Sequence, residues 1–185
     1  MPEQTTASPS LFERARKIKL ILMDVDGTLT DGGVCLISMP EGGVAEMKVF
    51  NSQDGLGLKL AHVMGIKTGF VTGRKSAAVS QRAEELKVDY VYLGQATKMA
   101  AFEECMKKAG VKEEEVAFMG DDLPDMPPAQ RSGLAVAVAD AAEELKAISH
   151  YVTKAGGGRG SARELVELIL KAQGRWEEAI PLARA

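Results

Sequence analysis

A chain of 185 residues with 45% hydrophobic and 26% charged residues has room for one domain with a full core, and its composition is ordinary for an α/β protein. Its 23 Lys and Arg against 26 Asp and Glu give a net charge of −3 without a basic block, which argues against nucleic acid or an anionic membrane as a partner. No window approaches the roughly 20 apolar residues of a membrane span. The apolar run after Arg14, Arg16 and Lys17 is too short for a signal peptide and is broken by Asp24 and Asp26. Cys35 and Cys105 lack a CxxC partner and read as reduced thiols, so a cytoplasmic location is expected.

In chain order, residues 1–12 read as a disordered N-terminal tail, polar and carrying two prolines. The aliphatic run 18–23 suits a strand buried on both faces. Glycines at 32–33 and 42–43 frame two apolar stretches and predict a β-hairpin flap over about 32–50. Leu56, Leu60, Val63 and Met64 recur at helical spacing, and Gly65 ends that helix. Strands are then predicted at 67–71, 90–93, 116–119, 134–138 and 150–153. They alternate with helices over 75–87, 98–109 and 141–148, and with a last one capped by Ser161 and running to about 170. Residues 175–185 read as a C-terminal tail, leaving 13–174 as the domain. The alternation predicts an α/β fold, a doubly wound, Rossmann-like, mainly parallel sheet with right-handed crossovers. Such sheets place their sites beyond the carboxyl ends of the strands.

That rule gathers the polar residues. Asp24 and Asp26 end the first strand, and alternation aims both to one side, where two ionised carboxylates require a cation, a shared proton or strong donors. The strand 67–71 runs into Thr72-Gly73-Arg74, Lys98 opens a helix, and the strand 116–119 runs into Gly120-Asp121-Asp122 and Asp125. Hard oxygen ligands suit Mg²⁺, while the Thr72 hydroxyl, Lys98 and exposed loop amides suit three phosphoryl oxygens. The chemistry that fits is phosphoryl transfer with an aspartate as nucleophile, ionised at neutral pH with an unperturbed pKa of about 3.9.

These four elements, DxDGT, Thr72, Lys98 and GDDxxD, resemble in type and order the haloacid dehalogenase-like phosphatases. The stretches VFNSQDGLGLK, VTGRK, GLAVAVADA and AGGGRGSARELVELIL extend the resemblance over 18–174, to the group acting on 3-deoxy-D-manno-octulosonate 8-phosphate. The resemblance implies that Asp24 forms an aspartyl-phosphate and that Asp26 protonates the leaving oxygen and then activates water. It implies that Asp24, the Asp26 carbonyl and Asp121 hold Mg²⁺, that Thr72 and Lys98 bind the phosphoryl group, and that Asp122 and Asp125 orient Lys98 and a metal-bound water. Arg74 and Arg159 would bind the sugar carboxylate, although Gln53 stands where a basic residue is often seen. Residues 32–50 and 73–97 leave no room for a cap domain. The group is tetrameric, with neighbouring subunits covering each site, and its product feeds lipopolysaccharide assembly.

Other readings compete. A sister group acts on 2-keto-3-deoxy-nononate 9-phosphate, and a phospho-receiver domain also groups carboxylates, Thr and Lys around Mg²⁺. A receiver, however, has no acid/base two residues after a first-strand aspartate. Thr72 could merely cap a helix, Lys98 could be a solvated helix residue, and AGGGRG superficially resembles a dinucleotide loop. His62, His150 and the cysteines lie outside any catalytic motif and read as structural or surface residues.

Overall fold

The structure, a computed structural model, describes residues 9–183. Most of the expected N-terminal tail, residues 1–8, lies outside that span. Six parallel strands form the central sheet: β1 (Leu20–Met23), β4 (Lys67–Val71), β5 (Tyr90–Tyr92), β6 (Val116–Gly120), β7 (Leu134–Ala137) and β8 (Tyr151–Val152). Their spatial order is β5-β4-β1-β6-β7-β8. The chain therefore winds outward from β1 in one direction, returns, and winds outward in the other, which makes β1 the switch point. Leu20 pairs with Lys67 on one side and Val116 on the other, and all four β1 side chains are fully buried. An unbroken aliphatic strand suits a position with neighbours on both edges and helices on both faces.

The helices are α1 (Leu11–Arg16), α2 (Ser52–Val63), α3 (Ala77–Glu85), α4 (Lys98–Ala109), α5 (Met126–Arg131), α6 (Glu143–Ile148), α7 (Ser161–Ala172) and α8 (Trp176–Leu182). One group packs α1, α2 and α8 against α7; another places α5 between α4 and α6. The expected flap is a separate antiparallel pair, β2 (Cys35–Ser38) with β3 (Val44–Met47). No helix among the described residues is long and apolar enough to cross a membrane.

Three local readings are corrected, and one helix is added. Helix α1 begins inside the span read as a tail, because Ser10 and Glu13 form a reciprocal capping box: the Glu13 amide donates to Ser10 Oγ, and the Ser10 amide donates to Glu13 Oε2 at 2.7 Å. Helix α8 occupies the span read as a C-terminal tail, its Trp176 ring packed beneath Arg163 and Lys171. The proline-rich stretch after Asp125 is helix α5, whose prolines fall in its first turn, where a missing N–H costs nothing. Ser161 is the first residue of α7 rather than its cap; Gly160 caps the helix at φ 101°, and the Ser161 hydroxyl donates to Thr28 O at 3.4 Å.

The AGGGRG loop between β8 and α7 is held by carboxylates and seated on the loop after β1. Gly157 N–H donates to Asp140 Oδ1 at 2.8 Å, Gly160 N–H to Asp54 Oδ2 at 3.1 Å and Gly158 N–H to Thr28 O at 2.9 Å. Three of its amides thus have internal partners, which removes the dinucleotide-phosphate reading. A Cβ on Gly157 would lie 1.8 Å from Gly27 O, so only glycine allows the two loops to touch. Gly157→Ala should therefore lower unfolding free energy by about 1–3 kcal/mol in denaturant titration. An unchanged midpoint would show that the loops separate freely.

Candidate active site

Asp24 continues from β1, its amide donating to Met119 O at 3.0 Å, so the strand pairing itself fixes where its carboxylate emerges. Lys98, the first residue of α4, places Nζ 2.8 Å from Asp24 Oδ1 and 2.5 Å from Asp125 Oδ1. All three side chains are nearly or fully buried. Burial would lower the Lys98 pKa, but the Asp125 and Asp24 carboxylates outweigh it and raise the pKa, keeping the ammonium charged.

Asp125 has both oxygens engaged: Oδ1 takes Lys98, and Oδ2 accepts from the amides of Asp121 at 3.0 Å and Asp122 at 3.3 Å. Gly120 makes room for it, since a Cβ there would strike Asp125 Oδ2 at 2.3 Å. Asp121 Oδ1 accepts the Thr28 hydroxyl at 2.8 Å, and its other oxygen crowds Gly27, where φ is 91°. Asp122 does not touch Lys98; its Oδ1 caps the following turn by accepting from Leu123 N–H at 2.8 Å. Of the two residues expected to orient Lys98, Asp125 alone touches it.

Asp26 stands on the turn after β1. Its Oδ2 accepts the Thr72 hydroxyl at 3.4 Å, and the Arg74 amide donates to Thr72 Oγ1 at 3.3 Å. Thr72 does not cap α3, because Ser76 holds that position and its Oγ accepts from Val79 N–H. Asp24, Asp26, Thr72, Arg74, Lys98 and Asp121 line one cavity of about 280 Å³, completed by Gln95 and the loop at 122–125. Arg74 reaches the cavity wall while pairing with Glu46 at 3.0 Å. Arg159 is exposed on the Gly-rich loop and does not line it. His62 is exposed, and His150 accepts the Ala135 amide through Nδ1. Burial pushes the Cys105 thiol up to about 12, so it is inert.

Lys48 carries no motif, and nothing in the sequence singles it out. Its side chain folds in from the hairpin and pairs with Asp26 Oδ1. The one available signal is alternation carried one residue past β3, which puts Glu46 and Lys48 on the same face.

Asp24, Asp121 and Asp125 offer oxygens all within 4.8 Å of one another. Desolvation, followed by the neighbouring Asp125 charge, pushes the Asp24 carboxyl up to about 7 despite Lys98. Desolvation likewise pushes Asp121 up to about 6, against the Thr28 hydrogen bond. One ammonium does not compensate this much buried carboxylate, and a small hard divalent cation fits the all-oxygen set. With Asp125 fully engaged, Asp24 and Asp121 are the carboxylates left to hold it.

A haloacid dehalogenase-like hydrolase family profile matches residues 90–160. The chain is 42% identical over 172 residues to the 3-deoxy-D-manno-octulosonate 8-phosphate phosphatase KdsC of Salmonella typhimurium, covering 93% of this chain and 89% of that one. The crystal structure of 3-deoxy-D-manno-octulosonate 8-phosphate phosphatase from Moraxella catarrhalis, in complex with magnesium ion, phosphate ion and a KDO molecule, superposes with a TM-score of 0.86. That pair is 41% identical and covers 93% of this chain and 97% of that one. The Yersinia pestis phosphatase of the same name superposes with a TM-score of 0.84 at 39% identity, covering 90% and 88%.

The raised carboxyl pKa values give a signed expectation for the metal-free protein. Folded Asp24 holds its proton to about pH 7, well above the ordinary carboxylate range, so the native state binds more protons and stability falls as pH rises through that interval. A cation that displaces the proton should relieve the loss. The rise in melting temperature on adding Mg²⁺ should therefore be larger near pH 8 than near pH 5.5. A shift that is equal at both, or larger at the acid end, would contradict the assignment.

Proposed function

The chain belongs to the 3-deoxy-D-manno-octulosonate 8-phosphate phosphatase family of haloacid dehalogenase-like hydrolases, and we propose that it hydrolyses 3-deoxy-D-manno-octulosonate 8-phosphate to the free sugar acid and phosphate. The observation that carries this reading is the Asp24 carboxylate at the switch point, against Lys98, with Asp26 two residues on at the same cavity. Asp24 attacks phosphorus, and the bond to the sugar oxygen breaks as Asp26 gives that oxygen a proton. Water then attacks the aspartyl-phosphate, Asp26 takes the proton back, and phosphate leaves with Asp24 regenerated. Lys98 and Thr72 hold phosphoryl oxygens in line with Asp24, and Lys98 offsets the charge that builds there. Asp24, Asp121 and the Asp26 carbonyl would hold Mg²⁺, which supplies charge neutralisation on the phosphoryl group. Asp26 also separates this chemistry from a phospho-receiver, which stores the aspartyl-phosphate rather than discharging it.

The active unit in this reading is a homotetramer in which neighbouring subunits complete each site. The hairpin supports it: Val34, Leu36, Val44 and Val49 are each more than half exposed, an apolar set that a lone chain leaves in water. Arg159, exposed and outside its own cavity's lining, would then serve a neighbour's sugar carboxylate alongside that neighbour's Arg74. The place of action is the cytoplasm, in keeping with the two free cysteines, and the step belongs to lipopolysaccharide precursor synthesis.

Phosphate release from 3-deoxy-D-manno-octulosonate 8-phosphate should require Mg²⁺ and cease in EDTA, and Asp24→Asn should lower kcat by about a hundredfold or more with the fold intact. Turnover by the chelated enzyme or by that variant would refute the mechanism. Arg159→Ala should raise KM for this substrate while leaving 4-nitrophenyl phosphate nearly unaffected, and mixing it with Asp24→Asn subunits should restore some activity. A fully active monomer in light scattering would refute the shared site.

A further inference from the structure

We propose that Lys48 is a positioning residue for the acid/base carboxylate, and that through it the hairpin sets the geometry of leaving-group protonation. The inference rests on the phosphatase reading above. Lys48 directly follows β3, and its side chain is 1% exposed although Met47 and Val49 on either side are 49% and 68% exposed. An ammonium withdrawn from water persists only when paired. Its Nζ contacts Asp26 Oδ1 and lies 3.5 Å from Glu46 Oε1, and the same Glu46 oxygen receives Arg74 Nη2 at 3.0 Å.

In the substrate-free protein Asp26 is thereby held at both oxygens by different parts of the chain. Once the Thr72 hydroxyl turns to a phosphoryl oxygen, Oδ2 is free to carry the proton and Lys48 is the hold that stays. Lys48 of the hairpin takes Oδ1, and Thr72 at the end of β4 donates to Oδ2. The grip matters because Asp26 sits on a turn, followed at once by Gly27 in a left-handed conformation, and no strand pairing aims its side chain. Asp24 differs: its direction is built into the β1–β6 ladder. Lys48 does not line the cavity, whereas Asp26, Thr72 and Arg74 do. It therefore acts on the reaction through Asp26 rather than by touching the substrate. A displaced carboxylate would lose much of its advantage in proton transfer, since displacement by about 1 Å can cost a hundredfold.

The leaving group separates this role from a merely structural one. A sugar alkoxide needs a proton as it departs, whereas 4-nitrophenolate is stable without one, and kcat/KM reports the steps up to formation of the aspartyl-phosphate. Lys48→Met should lower kcat/KM for 3-deoxy-D-manno-octulosonate 8-phosphate by about tenfold or more, and that for 4-nitrophenyl phosphate by less than about threefold. Lys48→Arg, which keeps the cation, should recover most of the loss. Should Lys48→Met fail to fold, Lys48→Gln gives the same comparison. Equal losses on the two esters, no loss on the sugar phosphate, or a larger loss on the aryl ester would overturn the proposal. An unmodified protein that released no phosphate from either ester in Mg²⁺ would instead overturn the phosphatase reading itself.

Discussion

The buried ammonium of Lys98 between Asp24 and Asp125 is the contact on which the site depends. A carboxylate held out of water at the end of a strand tends to capture a proton and lose its nucleophilicity. Lys98 opposes that tendency from one side, and the opening toward Asp121 leaves the other side for a cation. Removing one member of such a trio leaves an unpaired buried charge, at about 3–5 kcal/mol. Much of the local sequence follows from protecting this arrangement. Gly120 gives Asp125 the space to reach Lys98, and Gly27 lets the turn pass Asp121 without collision.

Around that centre the chain has spent its polar groups on fixing loops. Asp54 and Asp140 accept amides of the Gly-rich segment, Thr28 donates to Asp121, and Asp125 gathers the amides of the acidic turn. Each of these groups would be costly to bury unpaired. Satisfied, they turn three flexible connections into one rigid rim at the carboxyl edge of the sheet. The hairpin is the exception. Its face toward Asp26 is charged and paired through Lys48 and Glu46, while its other residues expose valine, leucine and isoleucine.

The elements proposed as catalytic could be read from the sequence because they follow strongly patterned strands. Asp24, Thr72 and Asp121 each sit directly after an apolar run, and Lys98 opens a helix whose periodicity is plain. The sheet was legible for the same reason. Features that depend on contacts distant in sequence were not: Lys48 looks like one more polar residue of an exposed hairpin until the hairpin folds over Asp26. Helix α8 was hidden by Gly174, and its Trp176 finds cationic partners only once α7 is in place. Helix α5 was hidden by its prolines, which act as breakers in a helix interior and are harmless in a first turn. Asp122, read only as a member of an acidic motif, also caps the turn that follows it.

The position of β1 also bears on how the molecule is made. The strand that leads into Asp24 has β4 on one side, while its other neighbour, β6, is recruited from about a hundred residues later. On a ribosome, Leu20–Met23 emerges well before β6 and cannot complete its ladder until residues near 120 have followed. During that interval an aliphatic strand has an open edge, the kind of surface that invites pairing with other nascent chains. The central placement that buries β1 so thoroughly in the finished protein thus makes it a vulnerable segment during synthesis.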